Sequence, residues 1–156
     1  MKAKITDNAL NKYSELFGSE IYKNTPLFAY AEHLFFCGMN QMVPTYEGGV
    51  FDFFEIIESD VEIEKSGFFP LIKNKKEVLI ATPFGQAAKV SFQAASLIVW
   101  LICIEQIANG IGNLEVRKRL YNTIQDLKHC YSELFNEDGN KIFSENDCKY
   151  IYKLLD

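Results

Sequence analysis

Apolar residues recur along this chain first at helical spacing, then at strand spacing, then at helical spacing again. Between Asp7 and Phe17 they fall at Ala9, Leu10, Tyr13, Leu16 and Phe17, one face of a helix that Gly18 ends. A second helix is predicted from Thr25 and Pro26. Thr25 would cap it, and Pro26 suits the first turn, where its missing N–H has no intrahelical partner to lose. Its buried face is Leu27, Tyr30, Ala31, Leu34 and Phe35, and Gly38 and Pro44 bracket its exit. The period then changes. Gly48 and Gly49 permit a tight turn or a positive φ. Residues 50–57, rich in Phe and Ile, read as a mostly buried strand. Glu58, Asp60, Glu62 and Glu64 alternate with Ser59, Val61 and Ile63, which predicts a strand with one wet face. Residues 68–73 and 77–81 read as a hairpin turning at Asn74, Lys75 and Lys76, and 84–90 as a short edge segment.

No helical stretch separates these strands, so an antiparallel sheet is expected over about residues 50–90. Ser91 then caps a helix over 92–109. It is apolar nearly all round from Ala94 to Ile104, which places it at the centre of the fold. Gly110, Ile111 and Gly112 close it. The next helix runs from about Leu114 to Phe135, with a stripe at Leu120, Ile124, Leu127, Tyr131 and Leu134. Residues 136–140 form a turn. Ser144, with Asp147 three residues on, makes a capping box for a last helix whose Cys148, Ile151, Tyr152 and Leu155 face inward. The expected class is α+β: a small antiparallel sheet packed with several helices, one of them buried and central. The chain shows no internal repeat or linker and reads as one domain over 1–156.

Composition narrows the function more than it identifies it. A chain of 156 residues, 48% hydrophobic, can bury roughly 70% of its unfolded surface without a metal or disulfide. Net charge is −5, from 21 acidic and 16 basic residues. That gives no broad basic footprint for DNA phosphates, and it falls short of the dense one-signed surface a duplex mimic needs. No apolar run follows Lys2 and Lys4, so a signal peptide is not expected. The longest uncharged run, between Lys89 and Glu105, has 15 residues, fewer than the ~18 expected of a membrane span. Cys37, Cys103, Cys130 and Cys148 are widely spaced and read as reduced thiols of a cytoplasmic protein.

Each candidate chemistry has a plainer alternative. Gly110-x-Gly112 begins a nucleotide-loop pattern, but it follows a helix and has Glu115 where the third glycine belongs, so a helix C-terminus is favoured. Residues 136–140 resemble a calcium loop, yet Lys141 occupies the glycine position and Asp147 the glutamate position; a polar turn is favoured. His33 and Cys37 are half a zinc site with no second pair. Asp52, Glu55 and the row from Glu58 to Glu64 could supply paired carboxylates, but acids in a row are usually a solvated strand face. No catalytic constellation emerges, and a non-enzymatic protein without metal or cofactor is expected. The acidic row is the best partner-binding candidate, set against its alternative role of guarding a strand edge from aggregation.

Several segments, in order, resemble the ArdB/KlcA-type antirestriction family. Leu16-Phe17-Gly18 followed by Leu27 and Phe28 resembles its entry segment. Tyr46-x-Gly48-Gly49-x-Phe51-x-Phe53-Phe54 resembles its Y-x-G-G-x-W-x-F-Y motif, and Gly67-Phe68-Phe69-Pro70 its G-G-F-Y-x-x-P. Ser91-x-x-Ala94-Ala95 and the apolar helix ending Ile107-Ala108 resemble its S-A-D-A-A-G-I helix. Ile151-Tyr152-x-x-x-Asp156 resembles its I-Y-x-x-x-D ending. The match is collinear from about residue 15 to 156. Phe51 replaces the usual Trp, Gln93 stands where Asp is common and Ser96 where Gly is, and an acidic insertion lies around Glu58 to Lys65. The resemblance implies a compact α+β domain carried by mobile elements that protects incoming DNA from host restriction, chiefly type I systems. The residues singled out for partner contact are Tyr46, Gly48, Gly49, Phe51, Glu58, Asp60, Glu62, Glu64 and Asp156; Asp156 rests on the resemblance alone. The alternatives are inhibition of a different DNA-targeting defence system, or nucleic-acid binding through Lys73, Lys75, Lys76, Arg117, Lys118 and Arg119.

Overall fold

The computed structural model describes residues 2–6, 9–48, 51–58, 67–72, 74 and 76–155, with the side chains of Leu10, Ile57 and Glu58 outside that description. The first helix, α1 (Ala9–Phe17), follows the predicted period and buries Tyr13, Leu16 and Phe17. Gly18 stops it at φ +63, where a side chain is disfavoured. A strand that the sequence did not announce, β1 (Lys2–Ile5), precedes it. A second unannounced feature follows: Ile21–Tyr22 (β2) pairs with Thr25–Pro26 (β3) around Lys23 and Asn24, both at positive φ. Thr25 is therefore a strand residue and does not cap the next helix. That helix, α2 (Leu27–Met42), has Pro26 at its N-cap without a side-chain hydrogen bond. It also runs on through Gly38. A Cβ there would lie 2.8 Å from Val99 Cγ1 and 3.2 Å from Cys103 Sγ, so the glycine lets two helices approach rather than ending one.

The strands divide into more than one sheet. β4 (Asp52–Glu58) lies between β1 and β5 (Phe68–Leu71), antiparallel to both. β6 (Glu77–Ala81) pairs with β7 (Ala87–Ser91) in a separate two-stranded sheet. The expected hairpin between 68–73 and 77–81 is thus replaced by two different pairings. Burial explains the choice. Phe68, Phe69, Pro70 and Leu71 are all buried, as a strand covered on both faces must be, whereas β6 and β7 alternate buried and exposed. The strand expected over 58–64 lies outside the described residues beyond Glu58.

Ser91 accepts a hydrogen bond from the Ala94 N–H at 3.1 Å and opens α3 (Phe92–Gly110) as predicted. With 19 residues, α3 is long and apolar enough to cross a membrane, but every side chain from Gln93 to Ile104 is buried within the fold. It packs against α2, β5, α4 (Leu114–Cys130) and α5 (Glu145–Leu155). The helix expected to reach Phe135 ends as α4 at Cys130, followed by one 3₁₀ turn over Tyr131–Glu133. On α5, Ile151 and Leu154 are buried, while Tyr152, predicted to face inward, is exposed. Among the described residues the buried apolar side chains form one connected core, with Trp100 at its centre bonding the Phe68 carbonyl at 3.0 Å.

Candidate functional site

The aromatic turn is built on the end of α2. The Tyr46 N–H donates to the Val43 carbonyl at 2.9 Å. Phe51 then stacks edge-on against Phe35 at 4.8 Å and Phe36 at 5.5 Å, with Tyr46 6.2 Å away. Burial raises the Tyr46 phenol above its ordinary pKa. Gly48 sits at φ +92, and a Cβ added there would meet nothing within 4 Å, so the backbone, not space, demands glycine. Gly49 lies outside the described residues. The structure therefore brings Tyr46 and Phe51 together as a cover on α2. Glu58 is at the far end of β4, roughly 20 Å from Phe51 at ~3.3 Å per residue. Asp60, Glu62, Glu64 and Asp156 lie outside the described residues.

The basic residues of the alternative reading are partly committed elsewhere. Arg117 donates to the Ile111 carbonyl at the end of α3, and Arg119 Nε to the Leu16 carbonyl at the end of α1, 3.3 Å away. Cations at helix C-termini neutralise the carbonyls left unpaired there. The Lys76 N–H is held by Asn74 Oδ1 at 2.9 Å; Lys73 and Lys75 lie outside the described residues. Other motifs find local roles. The Ile111 N–H closes α3 by donating to the Ile107 carbonyl. Asn136 Oδ1 accepts from the Asp138 and Asn140 N–H groups at 3.0 Å each, which makes 136–140 a self-capped turn. Cys37 Sγ lies 3.5 Å from His33 Nε2 on the exposed side of α2. No group of three or more potential metal-ligating His, Cys, Asp or Glu side chains occurs among the described residues. Burial, then Cys37, pushes the Cys103 thiol up to about 12.

Two clefts flank the three-stranded sheet. One, of about 400 Å³, lies between α1, β4 and α4. Lys12 there bridges Glu55 at 3.1 Å and Glu15 at 3.2 Å, and the Glu55 hydrogen bond is the main cause of its raised pKa. The other, of about 340 Å³, opens between β1 and the 136–142 segment, with Phe54 and Leu71 on its floor and Gln93 at its back. Neither cleft has a signal in the sequence: the first is assembled from α1, β4 and α4, and the second depends on β1 joining β4. Asp147 is legible there only as a local cap. Buried, it accepts the Ser91 N–H at 2.9 Å and the Ser91 hydroxyl at 2.7 Å while serving its own helix, where its N–H is held by Ser144 Oγ at 3.1 Å.

No protein-family model and no curated protein matches this chain. Its fold does match a solved structure of the KlcA and ArdB proteins. The TM-score is 0.70 over 99% of this chain and 94% of the other, at 18% sequence identity. Those proteins have a novel fold and antirestriction activity against type I DNA restriction systems in vivo but not in vitro. The chain thus resembles the ArdB/KlcA proteins in fold across its whole described length, an α+β arrangement as expected.

Proposed function

We propose that this chain is an antirestriction protein of a mobile element, protecting incoming DNA by inhibiting a host type I restriction system through protein–protein contact. The single observation that carries the reading is a shared fold over 99% of the chain with proteins of that activity. The ordered motifs around Tyr46, Gly67, Ser91 and Ile151 support it independently. It is a non-enzymatic reading: the acidic balance and the aromatic turn suit a binding surface, and the inhibitor acts in the cytoplasm, where restriction meets DNA. Engagement of Arg117 and Arg119 by helix carbonyls weighs against a nucleic-acid interface at α4.

The neighbour's activity in cells but not with purified components sets the form of the test. Unmodified phage are plated on a host with an active type I system, with and without this protein, beside a strain lacking restriction. The expected result is higher plating efficiency in the restricting strain alone. Equal plating with and without soluble protein would sink the type I reading.

A further inference from the structure

In the β1-β4-β5 and β6-β7 sheets, the outer edges of β1, β5 and β7 each carry a closing contact. At β1 the Ala3 N–H donates to the Phe135 carbonyl at 2.9 Å. At β5 the Phe68 carbonyl accepts Trp100 Nε1 at 3.0 Å, and Pro70 has no N–H to leave open. At β7, Asn146 Nδ2 donates to the Lys89 carbonyl at 3.4 Å, and Asp147 Oδ1 accepts the Ser91 N–H at 2.9 Å. β6 differs. Its ladder with β7 is phased at one end by the Thr82 N–H, which donates to the Gln86 carbonyl at 2.8 Å. At the other end the Phe92 N–H donates to the Lys76 carbonyl at 3.0 Å. Hydrogen-bonded pairs alternate along an antiparallel ladder, so Val78 and Ile80 bond β7, while the main-chain groups of Glu77, Leu79 and Ala81 point away from it. Those outward groups have no partner among the described residues. All three residues are exposed, Leu79 at 44%.

The same strand lacks the usual guards. An open edge is ordinarily protected by lysine, proline or a bulge. Glu77-Val78-Leu79-Ile80-Ala81 has neither lysine nor proline, and its register with β7 is unbroken. Its charge, Glu77, stands at the end of the strand, and its outward-facing centre is Leu79. We propose that the outer edge of β6 is a self-association site, where a second copy of this chain adds antiparallel about Leu79 and joins the two hairpins into one continuous sheet. The register argues for this occupant. A two-fold axis through the sheet reverses the second strand, so self-pairing is antiparallel. With the axis at Leu79, every outward residue of one strand meets an outward residue of the other: Leu79 meets Leu79, and Glu77 meets Ala81. No like charges then stand opposite each other. An axis at Glu77 would set two carboxylates together and leave outward groups of both strands without partners. Lys89 pairs with Leu79 across the hairpin, so the leucine pair would be flanked on both sides by lysine stems whose ammonium groups stay in water. A strand of another protein would need no such match of β6 to itself.

The site stands apart from the proposed function, and its test reads mass rather than phage protection. The full chain is followed by sedimentation from low micromolar to submillimolar concentration. The expected result is a mass that rises from monomer to dimer across that range. Leu79→Lys sets like charges opposite each other on the axis. It should weaken the dimer by at least about tenfold while leaving the melting temperature unchanged. A second variant gains rather than loses association. Leu79→Cys would put two thiols on residues whose Cα atoms lie about 5.5 Å apart in a hydrogen-bonded pair, within disulfide reach. Treated with copper phenanthroline, it should form a disulfide-linked dimer. Wild type, whose own cysteines set the background, and Ala87→Cys, at an exposed position of β7, should not. A monomeric mass throughout the range, a dimer of wild-type strength in Leu79→Lys, or crosslinking in Ala87→Cys equal to that in Leu79→Cys would overturn the site.

Discussion

Tyr13 shows how a single side chain can be well packed and poorly satisfied at once. Its ring meets Phe53 and Phe68 edge-on at 5.2 Å each and lies 5.9 Å from Phe28. Its hydroxyl is buried without a hydrogen-bond partner in bonding range, and the Glu32 carboxylate acts on it from nearby. Burial first, and Glu32 second, raise its pKa above the ordinary 10.0. A raised folded-state pKa means that the contribution is intact below about pH 10 and is lost as pH climbs past it. Tyr13→Phe should leave neutral-pH stability unchanged or up by about 1 kcal/mol, since it removes a polar group without a partner. The same variant should lose less stability than wild type between pH 9 and 11, measured by urea unfolding at each pH. The aromatic spacing that places Tyr13 in the core is legible in the sequence; the missing partner is not. Gly38 teaches the same lesson in reverse. Glycine suggests a helix end when only the local chain is read, and its true reason, Val99 and Cys103 on another helix, is more than 60 positions away.

At the scale of elements, periodicity identifies the helices well because each carries its own apolar stripe. The strands are harder. β6 and β7 alternate cleanly and can be read, but β5 is buried at every position and its partner cannot be read from alternation. β1 carries two lysines and two apolar residues, too short a pattern to announce a strand, yet it completes the sheet and makes the cleft. Asp147 joins elements that the sequence treats separately, linking the start of α3 to the start of α5. Asp147→Ala leaves the N–H and hydroxyl of Ser91 without their acceptor. It should cost about 2–3 kcal/mol, against about 1 kcal/mol for Ser91→Ala. Denaturant midpoints of the two single variants and the double variant would give the coupling; additive losses would show that the link contributes nothing of its own.

For the molecule as a whole, the aromatic turn lies at one end of β4 and Glu58 at the other. The turn is explained by packing on α2, so Phe51→Ala would test stability before function. The acidic row is tested by removing its charge. Replacing Glu58, Asp60, Glu62 and Glu64 by their amides should change stability by less than about 0.5 kcal/mol. In the phage assay it should lower protection about tenfold if the row meets a basic partner. A melt unchanged and protection unchanged would assign the row to solubility. Charge and composition alone set limits on what the protein does; the overall fold is what the chain shares with the KlcA and ArdB proteins.

The link between Ser91 and Asp147, 56 positions apart, and the bridge from Phe135 back to the first strand also bear on time. Of the elements that cover the central helix, α2 and β5 precede it but α4 and α5 follow it, so part of its apolar surface stays open until they emerge. Contacts that wait on distant partners slow folding relative to a bundle of local pairs. The interval between synthesis and closure is when the newly made chain is most open to proteases and to aggregation. For this protein, the speed with which its last helix docks would set how much of each newly made batch survives.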